Sequence, residues 1–151
     1  MNVPRSAWVL LAVALAGGCA GRKVPFTLLQ GAPAGGCLSR HTEAVLRSGD
    51  EWERFWREKS TCPTPTPREV DFSRQVAVVY AMGFQNTGAV KLRLDGMSET
   101  AEGGVAVHLT ITAPEPGCPV PMNVVYPMVV AVAPRAEGPV HFEVRHRRRR
   151  C

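Results

Sequence analysis

Gln75-Val76-Ala77-Val78-Val79-Tyr80-Ala81-Met82 decides the fold class. The run is apolar almost without a break, the pattern of a strand buried on both faces. Residues 83–88 then turn the chain. Beyond them Val90, Leu92 and Leu94 alternate with Lys91, Arg93 and Asp95, which describes a strand with one wet face. Val105, Val107, Leu109 and Ile111 alternate in the same way with Ala106, His108, Thr110 and Thr112. Residues 123–133 return to a strong β run broken at Pro127, which predicts an edge strand, a bulge or two short strands meeting at a corner. In a last strand Val140, Phe142 and Val144 face inward, with His141, Glu143 and Arg145 outward.

On the N-terminal side, residues 38–46 fit one more strand, and a helix follows. Ser48-Gly49-Asp50-Glu51 has the form of a capping box: Ser48 accepts from the Glu51 amide, and the Glu51 carboxylate reaches back toward the Ser48 amide. Asp50 suits the positive helix end. Trp52, Phe55 and Trp56 then share one stripe by i, i+3, i+4 spacing, a core-facing pattern rather than a ligand cage. Prolines at 63, 65 and 67 end the helix. The expected fold is mainly β: an antiparallel β-sandwich or half-open barrel with one amphipathic α-helix over about 49–59.

The N-terminus reads as export machinery. Arg5 precedes an apolar core at residues 7–16, long enough for a secretory signal and too short to span a bilayer, which needs about 20 residues. Ala16-Gly17-Gly18-Cys19 resembles a lipobox, with Leu15 four residues before the cysteine instead of three. The organisation expected is a signal peptide over 1–18, lipidation at Cys19, a flexible tether over 19–36, one domain over 37–144 and a basic disordered tail over 145–151. Ala20 lacks the aspartate that retains lipoproteins in an inner membrane, which favours the outer membrane.

Charge locates itself in that tail. Eighteen Lys and Arg oppose thirteen Asp and Glu, a formal +5. Arg5 lies in the leader, and Arg145, Arg147, Arg148, Arg149 and Arg150 lie in the tail, so twelve basic groups face thirteen acidic ones in the body. The tail can touch anionic lipid at about 1 kcal/mol per basic residue. Without interleaved aromatics it does not resemble a nucleic-acid binder.

Cys37, Cys62, Cys118 and Cys151 remain after lipidation, and an oxidising compartment permits disulfides. Three connectivities are open. Cys37–Cys62 is favoured because it would clip both flanks of the helix, and Cys151 is the thiol least expected to pair. No C-x-x-C spacing occurs and His41, His108, His141 and His146 are scattered, so no metal and no cofactor is expected. G-x-S-x-G, H-E-x-x-H, P-loop and Rossmann patterns are all missing from the sequence. His108 and His141 read as surface histidines, and Asp71 as a turn cap.

One ordered set of segments carries a resemblance. Val70-Asp71-Phe72-Ser73-Arg74-Gln75-Val76-Ala77-Val78-Val79 resembles the "vDFsk…vvvv" segment of the PrcB C-terminal-domain family of exported bacterial proteins and lipoproteins. Pro114-Glu115-Pro116-Gly117-Cys118-Pro119-Val120 and Tyr126-Pro127-Met128-Val129-Val130 are similar to its "PgPGC" and "sPyhvv" blocks. The helix after Ser48 is similar to its opening "s.eew..lw". The likeness runs from about Val45 to Val144. It implies a mainly β, non-catalytic binding module, since the family takes its name from a lipoprotein subunit that stabilises a surface protease. The family's T-G-G-Y turn corresponds to Asn86-Thr87-Gly88-Ala89-Val90, where Ala89 and Val90 replace glycine and an aromatic residue. The resemblance therefore points to Phe84, Asn86, Thr87 and Gly88 as the contact loop. The plainer reading is a hairpin turn, with Asn86 and Gly88 in left-handed conformations.

Three functions follow as expectations. The first is an envelope-anchored accessory lipoprotein that binds protein, with an exported protease as partner and the membrane held through Cys19. The second is a small-ligand or surface-polysaccharide binder, which requires a deep pocket between strand layers. The third is a hydrolase, which requires His108 or His141 beside a nucleophile or carboxylate in a cleft.

Overall fold

The computed structural model describes residues 21–29, 37–62 and 69–151. Its elements are β1 (Thr27–Leu28), β2 (His41–Leu46), α1 (Gly49–Lys59), β3 (Gln75–Met82), β4 (Lys91–Glu99), β5 (Val105–Pro114), β6 (Met128–Pro134) and β7 (Val140–Arg149). β3 is buried along its length because it has an apolar layer on each face. Val76, Val78 and Tyr80 meet Val107, Leu109 and Ile111 between two sheets, while Ala77, Val79 and Ala81 meet Trp52, Phe55 and Trp56 of α1. Two-sided burial is what an unbroken apolar run requires.

One sheet has the order β1-β6-β3-β2 and is antiparallel throughout. The other has the order β4-β5-β7. The two pack face to face as a β-sandwich, and the half-open barrel is not formed. The expectation of a purely antiparallel fold needs one correction, since β7 runs parallel to β5 from Val105↔Val140 to Pro114↔Arg149. A parallel pair needs a long crossover. Residues 115–139 provide it, passing through β6 in the opposite sheet.

α1 forms as its cap predicts, with one change of partner. Ser48 Oγ accepts from the Glu51 amide at 3.2 Å, but the Glu51 carboxylate accepts from the Arg47 amide at 2.7 Å rather than from that of Ser48. Trp52, Phe55 and Trp56 are the helix's buried residues. Cys37 and Cys62 are bonded, with Sγ–Sγ 2.07 Å, so the clip across the helix flanks is present.

Two expectations at the chain ends are overturned. Residues 21–29, placed in a flexible tether, pack on the sandwich. Val24 and Phe26 join the inter-sheet core and Leu29 joins the helix cluster, because the segment alternates apolar residues. The Val24 amide donates to Met97 O at 2.9 Å, and β1 pairs with β6. The other end, residues 145–151, is not a disordered tail. β7 extends through Arg149, and Cys151 is bonded to Cys118 at 2.02 Å. Like charges discourage packing into a core, but an edge strand keeps its side chains in water while its backbone pairs on one side. Cys19 and the signal peptide lie outside the described residues.

Candidate functional site

The predicted contact loop is a crossover between sheets, not a hairpin, because β3 and β4 belong to different layers. Its left-handed residue is Gly83 (φ +74°); Asn86 and Gly88 do not adopt that conformation. A Cβ on Gly83 would lie 2.7 Å from His41 N, so glycine there serves both the turn and a close backbone approach. The loop is then strapped to the segment before β6. Gln85 and Val125 form a β-bridge, with the Gln85 amide donating to Val125 O at 2.9 Å. The Gly88 amide donates to Asn123 Oδ1 at 2.8 Å, and the Ala89 amide to Thr87 Oγ1 at 3.1 Å.

Of the four residues named from the sequence, Phe84 and Asn86 are exposed, while Thr87 and Gly88 are half-buried and hold the loop's shape. Phe84 stacks edge-on against Tyr126 at 6.1 Å between centroids. Sequence reasoning missed the second half of this surface. Met122 is 95% exposed and Val124 56%, as much as Phe84. The signal that could have found them is an apolar series, Val120, Met122, Val124, within a Pro-rich connection that no core claims.

The outer face of β4-β5-β7 is polar. A trough of about 870 Å³ on it is lined by Arg93, Asp95, His108, Glu143, Arg145 and Arg147 among others. Asp95 sits at a bulge where the β4–β5 register shifts. Its carboxylate accepts from the buried Thr110 hydroxyl and from Arg93 Nε at 2.6 Å. The Thr110 bond, ahead of the Arg93 one, holds the Asp95 carboxyl below its ordinary range. At Asp71 the Ser73 hydroxyl has the same effect, and Asp71 caps the turn into β3 as expected.

His108, read as a plain surface histidine, joins three strands. Its Nε2 lies 2.8 Å from Ser98 Oγ, and its Nδ1 lies 3.0 Å from Glu143 Oε2. Serine, imidazole and carboxylate in line are two-thirds of a nucleophile site. The remaining third, a pair of backbone oxyanion donors, is not formed beside them among the described residues. These residues lie within the paired length of their strands, where backbone N–H groups point sideways into the ladder and not above the face. His141 Nε2 lies 3.8 Å from Glu102 Oε2. Among the described residues no cluster of His, Cys, Asp or Glu could hold a metal ion.

Val76, Val78, Val107 and Leu109 are fully buried and fill the space between the sheets, so the deep interlayer pocket required of a small-ligand binder is not formed among the described residues.

Fold and surface together define a two-sheet β domain that presents a rigid, partly apolar loop pair. Residues 76–134 match the family model described as PrcB C-terminal. The match covers β3 to β6 and bears out the resemblance drawn from the sequence. No curated protein and no solved structure matches the chain. None of the described helices is long and apolar enough to cross a membrane.

Proposed function

We propose that this protein is a non-catalytic accessory lipoprotein of the bacterial envelope, anchored through Cys19 in the outer membrane, whose loop pair 83–89 and 118–127 docks an exported protease. The observation that carries the reading is the exposure of Phe84, Met122 and Val124 on a strapped frame. Exposed large apolar side chains in one place mark interaction surfaces, and a rigid aromatic anchor loses little entropy on binding. Phe84 and Tyr126 supply the aromatic contact that Ala89 and Val90 do not, since Ala89 is buried and Val90 packs on the core. The family match and the lipobox support the accessory role and the anchor.

The test is cross-linking in native membranes, followed by intact mass measurement of the mature protein and identification of the captured partner. Wild type is expected to carry acyl chains on Cys19 and to capture an exported protease. Phe84→Ser with Met122→Ser is expected to reduce capture at least tenfold with the thermal midpoint unchanged. Equal capture by the folded variant overturns the loop assignment, and an unmodified Cys19 overturns the anchor.

A further inference from the structure

β7 is ten residues long and forms one border of the sheet β4-β5-β7. Its far side pairs with no other strand among the described residues. The carbonyls of Pro139 and Arg149 accept from Val105 and Glu115 amides, so the odd-numbered residues direct their backbone toward β5. By the twofold period of a strand, Phe142, Val144, His146 and Arg148 direct N–H and C=O outward. No hydrogen bond takes up those outward groups among the described residues. The other borders are shorter or partly covered, β2 being six residues long. Residues 22–24 cover the end of β4 through Glu99 N→Arg22 O and Val24 N→Met97 O, and β1 is two residues long.

An open border of this length is a template for another strand. Its charge decides which one. Arg145, Arg147 and Arg149 follow one another on the outer face, and Arg148 lies exposed on the other face. Among the described residues no salt bridge engages any of them. The Cys118–Cys151 bond fixes the row on the frame. A parallel, in-register second copy of β7 would set arginine against arginine, which is destabilising, whereas opposite charges across strands attract. Alternate acidic side chains on an extended strand repeat every ~7 Å, the same repeat as the arginines.

We infer that the open edge of β7 binds an extended acidic segment of a protein partner by strand addition. Backbone pairing to Phe142, Val144, His146 and Arg148 supplies affinity, and the arginine row selects acidic side chains. This rests on the reading of the protein as a protein-binding module and names the chemistry of what it binds.

The probe is a blocked decapeptide of alternating Glu and Thr, titrated onto the full disulfide-bonded protein. Saturable binding is expected, weakening as salt rises from 0.05 to 0.5 M, where the Debye length contracts from roughly 14 to 4 Å. Arg147→Ser and Arg149→Ser are each expected to weaken it about two- to fivefold. Two controls separate pairing from charge. The same peptide N-methylated at alternate residues keeps every charge but loses its donors. His146→Pro keeps every arginine and removes an outward N–H without touching the β5 ladder. Each is expected to weaken binding at least tenfold, with near-ultraviolet circular dichroism reporting that the variant is folded. Equal binding of the N-methylated peptide overturns strand addition and leaves charge alone. Absence of peptide binding, or arginine-dependent binding to phosphatidylglycerol vesicles or heparin in its place, overturns the inference as well. The Phe84→Ser, Met122→Ser variant is expected to bind the peptide normally. Should partner capture fail to depend on the loops while peptide binding holds, the loop assignment falls and the edge assignment stands.

Discussion

Asp95 shows how one residue can reorganise a strand. It occupies the extra position between Leu94↔Leu109 and Gly96↔His108, so inward-facing positions shift from Leu92 and Leu94 to Met97. The bulge turns the Asp95 carboxylate toward Thr110, whose buried hydroxyl would otherwise lack a partner. Thr110→Val is therefore expected to lower stability by about 1–2 kcal/mol at pH 7, the range for a hydrogen bond to a charged group discounted for partial exposure. The sign with pH follows from the lowered carboxyl: its contribution is complete above the unfolded-state value near 3.8 and is lost as pH falls through the lower folded value. Urea unfolding of wild type and variant at pH 7 and pH 2.5 should show the difference shrinking at the acid end. A difference that holds constant would show that the bond does not involve the ionised carboxylate. The strand's alternation was legible up to Leu94 and failed at Asp95, because a bulge is fixed by the partner strand and leaves no local mark. Ser98 shares this origin, since the reset phase is what brings it to His108. With no backbone oxyanion donors above the sheet among the described residues, Ser98 is expected to resist a fluorophosphonate probe under conditions that label a serine hydrolase completely. Stoichiometric labelling, abolished by Ser98→Ala, would make the protein an enzyme.

At the scale of elements, what was legible was local. The Ser48 cap and the Trp52, Phe55, Trp56 stripe specify α1 within a dozen residues, so the helix could be read with its boundaries. β3 could be read for the same reason, since two-sided burial is written into eight consecutive side chains. β7 was legible only as far as Val144. Past it, strand formation depends on β5, thirty-odd residues away, and on a disulfide whose pairing four thiols leave open. The packing of residues 21–29 was hidden likewise, because two short alternations gain meaning only once both sheets exist. β7 beyond Val144 is held by one ladder and one covalent bond against the repulsion of its arginines. Replacing Cys118 and Cys151 together by serine is expected to raise amide exchange at Arg147 and Arg149 at least tenfold. β3 should keep its protection, because local opening reports local contacts. Salt at 1 M, which shortens the Debye length to about 3 Å, should restore part of that protection. Equal exchange in both proteins would mean that the ladder alone holds the strand.

Across the whole molecule, the two ends of the sandwich are chemically different, and the proposed lipid on Cys19 would lie near one of them. Gly21 abuts the Glu99 carbonyl, at the finish of β4. The loop pair 83–89 and 118–127 lies at the opposite end, where β4 begins and β5 finishes. β4 has nine residues, which at about 3.4 Å each separates the ends by roughly 30 Å. Cys19 precedes Gly21 by two residues, and a chain spans at most about 3.5 Å per residue. A lipid on Cys19 therefore holds the Glu99 end within about 10 Å of the bilayer and directs Phe84, Met122 and Val124 away from it. This orientation separates two explanations of the exposed apolar loops. If they contact protein, they face outward into the envelope. If they insert into lipid, the domain must lie over against its own anchor. With the lipidated protein in vesicles carrying acyl-chain spin labels, a dye at Glu102→Cys, beside the β4–β5 turn, is expected to be quenched strongly. A dye at Met122→Cys is expected to be quenched at least fivefold less. Comparable quenching at Met122 would place the loops in the membrane and remove the basis for a protein contact there. Quenching at neither site would detach the domain from the short lead and leave its orientation to the partner alone.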